Sequence, residues 1–189
     1  MNDGTLKSPP TATTARRSSL PTYNVSVGRA LASVLTIGAL AWSATLFIVP
    51  FALTSRDPRL VAAAAAVYSG AGLICHQRAE RSFHLAGVQQ PVCARCTGLY
   101  VSGAAGALVA ALWRRPRVPR RARSLLALTA VPTALTVALE FVGLVHPSNI
   151  VRALCALPLG GAGAWVFIQS LRAEAADARR FEEVRGDAL

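Results

Sequence analysis

Four stretches of the chain run for 17 to 22 residues with at most one charged side chain each: Ala30 to Phe51, Thr97 to Trp113, Ser124 to Val145 and Val151 to Leu171. As α-helices they would extend about 25 to 33 Å, close to the roughly 30 Å hydrocarbon thickness of a bilayer. The pattern predicts four spanning helices. Leu60 to Cys75 is shorter, 16 mostly alanine residues, or about 24 Å of helix. It is expected to lie along the interface or re-enter. Its bulky positions Leu60, Val67 and Ile74, with Val61, Tyr68 and Cys75, repeat every seven residues. This face is expected to pack on the bundle, with the last turn delivering Cys75 and His76 toward Cys93. The fold class is therefore all-α: a polytopic helical membrane protein with four transmembrane helices and one short interfacial or re-entrant helix.

The flanks read differently. Residues 1–26 are rich in Pro, Ser and Thr without apolar periodicity, which predicts a disordered tail. The membrane domain covers 27–171, and 172–189 mixes charge signs. Arg179 and Glu183 stand four apart there, as on a solvated helix. The first apolar run ends in IVPFALTSRDP, with no small-residue cleavage site close behind. It is expected to remain as an anchor.

Composition agrees with lipid as the solvent of this core: 53% of residues are hydrophobic and the mean hydropathy is +0.42. The net charge is +11, which raises nucleic acid or an anionic membrane surface as a partner. The long apolar segments favour the membrane. No basic stripe interleaves with aromatics, so nucleic acid is not expected.

Arginine placement also orients the chain. If Leu60 to Cys75 does not span, one side holds Lys7, Arg16, Arg17 and Arg29, the six arginines of RRPRVPRRAR, and Arg172, Arg179, Arg180 and Arg185. That is 14 basic residues against 6, and the positive-inside rule then makes both termini cytoplasmic. If the segment spans, the split narrows to 12 against 8. In both cases the loop 75–97 faces away from the cytoplasm.

That loop carries the chemistry. CHQRAERSFHLAGVQQPVCARCT holds three of the four cysteines and two of the three histidines. Cys93 and Cys96 form a C-x-x-C, and with Cys75 and His76 they make the four N/S ligands of a tetrahedral zinc site. His84 is an alternative to His76, since adjacent ligands fit one ion poorly. A second reading is redox. Thr97 can cap the helix that follows, and the helix N-terminus with Arg95 lowers a nearby thiol pKa. The active pair would then be Cys93 and Cys96, with Cys75 resolving. A third is a disulfide that ties down the loop, which an extracytoplasmic compartment permits.

Other polar residues gather toward the same leaflet. Glu140 is the one acid in a spanning run, about 8 Å from the predicted helix end, with Arg152 as its expected partner. Arg78, Arg81 and Arg95 add positive charge suited to an anionic ligand. Cys155 lies one turn below Arg152 and reads as a small hydrophobe. Gly98, Ser102, Gly106 and Ala110 share one helix face, which permits close packing.

The stretch ICHQRAERSF, then PVCARCTGLY, resembles an uncharacterised family of small bacterial membrane proteins, a domain of unknown function with a CHQ, RSF, CARCTG signature. The resemblance extends over about residues 30–170. It implies a compact helical membrane protein, and it brings Cys75, His76, Gln77, Arg81, Ser82, Phe83, Pro91, Cys93, Arg95, Cys96, Thr97, Gly98 and Tyr100 into the motif. It implies no activity. Family members carry Asp-Gly and then Gln where this chain has Thr136, Val137 and Glu140, so no shared role for Glu140 follows.

The leading expectation is zinc bound by Cys75, His76, Cys93 and Cys96 in a structural or sensing role. The enzyme alternative is a membrane thiol-disulfide oxidoreductase with a quinone between its helices. A small transporter or accessory subunit using Glu140 and Arg152 is the third class. No nucleotide-binding loop or nucleophile-base signature is present.

Overall fold

The computed structural model describes residues 25–113 and 118–186, with side chains for 27–113 and 118–176. Five α-helices and a two-stranded hairpin follow one another: α1 Val25–Leu53, α2 Pro58–Gly72, β1 Ser82–Leu85, β2 Val88–Cys93, α3 Ala94–Leu112, α4 Ala122–Phe141 and α5 Asn149–Gly186. Helices α1, α3, α4 and α5 are each long and apolar enough to cross a membrane. The predicted tail 1–26 lies almost wholly outside the described residues, as do the side chains of Arg179 and Glu183. The helical backbone of the C-terminal segment continues to Gly186.

A small hairpin is added to the expected all-α fold. SFHL and VQQPVC pair antiparallel, with Leu85 opposite Val88, around the two-residue turn Ala86-Gly87. Both turn residues have positive φ, 52° and 79°, which suits the right-handed twist of a tight hairpin.

The short helix α2 starts from the Asp57 cap, whose carboxylate accepts the Arg59 N–H at 2.8 Å. It does not span. Ala64, Ala71 and Cys75 are buried and Val61, Val67 and Tyr68 half-buried, so the helix packs by the expected side, except that Leu60 and Ile74 are exposed. In lipid, bulky apolar side chains gain nothing by turning inward, and small residues let backbones approach.

The same physics governs the main helix pair. A Cβ on Gly98 would overlap the Ala153 carbonyl, one on Gly106 the Gly161 carbonyl, and one on Gly160 the Leu99 carbonyl and Ser102 Oγ. Helices α3 and α5 therefore touch backbone to backbone along the predicted face. Gly106→Ala should force them apart at a cost of about 1–3 kcal/mol, lowering the melting temperature in detergent. Gly163→Ala, where a Cβ meets nothing within 4 Å, should be neutral or slightly stabilising. Equal effects from the two substitutions would contradict this packing.

The bundle has two ends. At one, Arg29 and Ala32 of α1 meet Ala111 of α3 and Arg172 of α5. At the other, Leu46, Ala71, Cys75 and Val92 form a buried cluster against Trp42, Cys93, Cys96 and Tyr100. The Tyr100 carbonyl accepts Ser43 Oγ at 3.0 Å, and its ring meets Trp42 edge-on at 6.0 Å.

Helix α4 stops earlier than its apolar run. Gly143 has φ 73°, its N–H reaches the Glu140 carbonyl at 3.1 Å, and the Leu144 N–H reaches Leu139 at 3.0 Å. This left-handed glycine ends the helix, so Glu140 sits on the last turn beside the thiol end.

Candidate metal centre

The site is built where α2 runs out and α3 begins. The Ile74 and Cys75 N–H groups both donate to the Ala71 carbonyl, at 3.1 and 3.0 Å, so Cys75 stays fixed to the end of α2. Two residues on, Gln77 takes a left-handed φ of 47°, uncommon for a residue with a side chain. Its Nε2 donates to the carbonyls of Tyr68 at 2.7 Å and Pro91 at 2.8 Å. Its own carbonyl accepts Gln89 Nε2 at 2.6 Å, and Tyr68 Oη donates to the Gln89 carbonyl. These bonds clamp the hairpin to α2 and set Cys75 beside Cys93. Gln77 belongs to the quoted motif, yet nothing in the spacing alone revealed this clamp.

Cys93 caps α3, which starts at Ala94, three residues before the expected start. Thr97 is accordingly not the cap. It lies inside the first turn, where its Oγ1 donates to Gln90 Oε1 at 3.0 Å and approaches the Cys93 carbonyl at 3.2 Å.

The sulfurs of Cys75, Cys93 and Cys96 all lie within 4.8 Å of one another. The Cys93 N–H points at Cys75 Sγ, 3.1 Å away. The Cys93 thiol is lowered to about 5, chiefly by a hydrogen bond from the Cys96 side chain. Burial opposes that shift, while the Cys96 and Arg95 N–H groups and the Cys75 thiol reinforce it. The position at the N-terminus of α3 acts in the same direction.

The histidines do not join this group. His76 is exposed while Cys75 is buried. His84 is also exposed, on β1 opposite Gln89. Cys155 lies on α5 apart from the other thiols, and its carbonyl accepts Thr133 Oγ1 at 2.7 Å.

Beside the thiols is a charge hub. Glu140 takes Arg95 Nη2 at 2.6 Å, Arg152 Nη2 at 2.8 Å and Arg81 Nη2 at 3.2 Å. The expected Glu140–Arg152 pair is present, and two further guanidiniums join it. Arg152 also donates to Asn149 Oδ1 at 2.8 Å, and Asn149 Nδ2 donates to the Ser82 carbonyl at 2.9 Å. The hub thus ties the ends of α3, α4 and α5 to the hairpin. Arg78 is exposed, and its carbonyl accepts Ser82 Oγ at 2.8 Å; its guanidinium has no place in the hub.

A family model described as Predicted membrane protein (DUF2085) matches residues 75–166, beginning at Cys75 and including Arg81, Arg95, Glu140 and Arg152. An uncharacterized protein of Methanothermobacter thermautotrophicus is 38% identical over 88 residues, 46% of this chain and 78% of that protein. The chain belongs to this family. A second relative, an uncharacterized protein of Methanocaldococcus jannaschii, is 33% identical over 90 residues, 46% of this chain and 54% of its own length. The chain therefore spans about half of that second relative. Both relatives are archaeal, so they lend no support to a bacterial origin for the family. No solved structure matches the chain.

Proposed function

We propose that this membrane protein binds a thiophilic metal ion, zinc first, through Cys75, Cys93 and Cys96, with one coordination position open to an external donor. The observation that carries the reading is the convergence of three sulfurs within 4.8 Å. Tetrahedral zinc with bonds of about 2.3 Å sets its sulfurs about 3.8 Å apart, so rotamer adjustment completes the cluster. Three protein ligands instead of four suit a sensing or exchange role better than a purely structural one, since structural sites are closed.

Charge supports the same reading. Three thiolates around a divalent ion carry one net negative charge, and the Glu140 hub with its three arginines carries two positive ones. An anionic fourth ligand brings the whole site to neutrality, which a half-buried location favours. Elemental analysis of detergent-purified protein should find about one metal per chain, lost on treatment with a chelator. Protein with no stoichiometric metal, prepared with its thiols reduced, would refute the proposal.

The orientation we propose rests on the sequence, in which 14 basic residues fall in the two terminal segments and the 114–123 loop against 6 elsewhere. The thiol site would face the extracytoplasmic side. A reporter inserted at Gly87, in the exposed hairpin turn, should be extracytoplasmic, and a cytoplasmic signal there would reverse the assignment.

One observation favours the thiol-disulfide alternative: Cys93 caps α3 with the Cys96 sulfur within 4.8 Å, a setting that lowers the Cys93 thiol pKa. In that chemistry the Cys93 thiolate attacks a partner disulfide and Cys96 displaces the released dithiol. The resulting Cys93–Cys96 disulfide is reduced again by two electrons from a thiol donor, or in the reverse direction the dithiol passes two electrons and two protons to a quinone. Nothing in the geometry favours a transporter using Glu140, whose carboxylate is held by three guanidiniums.

A further inference from the structure

The opposite end of the bundle holds an open cavity of about 110 Å³ lined by Arg29, Ala32, Ser33, Ala111 and Arg172. Among the described residues two guanidiniums and no acid line it. One Arg172 N–H is given to the Ala110 carbonyl in the last turn of α3, and other donors of that fork have no partner among the described residues. Arg29 is exposed and forms no ion pair among the described residues. The Ser33 hydroxyl donates to the Arg29 carbonyl at 3.0 Å, and its oxygen still offers a lone pair.

The height of this pocket says what reaches it. Arg29 immediately precedes the apolar run that opens at Ala30, Arg172 immediately follows the run that closes at Leu171, and Ala111 lies near the end of α3. All three stand where hydrocarbon gives way to headgroups. Leu31, Val34, Leu108 and Leu112 are exposed on α1 and α3 and offer acyl chains an apolar track. Trp113, exposed at the same level, is the kind of aromatic that settles at headgroup depth.

We infer that this pocket binds the phosphate group of an anionic phospholipid. Arginine forks match phosphate geometry, and basic pockets between spanning helices take up anionic headgroups. Room for a few water volumes accommodates one phosphate. A free phosphate offers the same oxygens but lacks the apolar track and the bilayer's local concentration. The inference rests on the four-span architecture and is independent of the thiol site.

The test is native mass spectrometry of the full chain released from nanodiscs of equal phosphatidylglycerol and phosphatidylcholine. Wild-type protein should retain phosphatidylglycerol selectively. Each arginine near the surface contributes roughly a factor of five, so Arg29→Gln with Arg172→Gln should lower that preference about 25-fold. Arg172 also holds Ala110, so Arg29→Gln alone, about fivefold, decides the matter should the double variant fail to fold. Ala111→Leu keeps both charges and fills the cavity, and it should abolish the preference as well. Undiminished selectivity in Arg29→Gln, or in Ala111→Leu, would overturn the pocket. Millimolar inorganic phosphate should leave the lipid in place; displacement would assign the site to free phosphate and overturn the lipid.

Discussion

Glu140→Gln should lower stability by about 3–5 kcal/mol, the usual cost of removing one member of a buried ion pair. The carboxylate side chain is 6% exposed and faces Arg95, Arg152 and Arg81, whose side chains are 15%, 9% and 34% exposed. Without its charge three guanidiniums face one another, and the glutamine amide group points donors at donors. Against a total stability of roughly 5–15 kcal/mol, the loss should be plain as a fall in melting temperature in detergent. Helix α4 should loosen first, because none of the most apolar stretch of its span is buried. Apart from the hub, its fastening includes the Thr133 bond to the Cys155 carbonyl. Arg81→Gln, at the exposed edge, should cost under about 1 kcal/mol. Combined with Glu140→Gln it should give back part of the loss by removing an uncompensated cation, a non-additivity that a double-mutant cycle reads directly. A Glu140→Gln protein that melts with the wild type would mean that the hub contributes nothing to holding the helices.

Much of this architecture was legible because lipid imposes simple rules. Twenty apolar residues make a span, so the four helices followed from hydropathy, and the spacing of Gly98, Ser102 and Gly106 marked the α3–α5 seam. Glu140 and Arg152 face each other across one short turn, which kept that pair within reach of sequence reasoning. The convergence of Arg81 and Arg95 on the same carboxylate depends on how the hairpin folds back, and no local pattern carries that information. The hairpin itself was hidden by its turn. Ala86 occupies a positive-φ position where Asn, Asp or Gly would have signalled a two-residue loop. In α2 the seven-residue pattern marked the packed side through Val61, Val67, Tyr68 and Cys75, which Ala64 and Ala71 complete, while Leu60 and Ile74 turn outward because lipid is as apolar as the bundle interior. His76 was drawn into the ligand set by adjacency to Cys75, yet Cys75 is buried against the other thiols while His76 is exposed.

The ligand set can be decided by comparing four substitutions. If Cys75, Cys93 and Cys96 are the protein ligands, changing any one of them to Ser should reduce metal content from about one per chain to near zero, whereas His76→Ala should leave it unchanged. Binding to the folded state alone adds RT ln(1 + [L]/Kd), about 2.7 kcal/mol when free metal stands at about a hundred times Kd. The three serine variants should therefore melt together, at the temperature of chelator-treated wild-type protein, and added metal should raise none of them. His76→Ala should melt with the metal-loaded wild type. A catalytic dithiol would give another pattern. Its serine variants would keep the wild-type melting temperature, Cys96→Ser would accumulate a mixed disulfide through Cys93, and Cys75→Ser would keep the Cys93–Cys96 exchange. Loss of metal in His76→Ala equal to that in the cysteine variants would instead require His76 to swing inward and close the site with a fourth ligand, and the open coordination position proposed for this protein would be wrong.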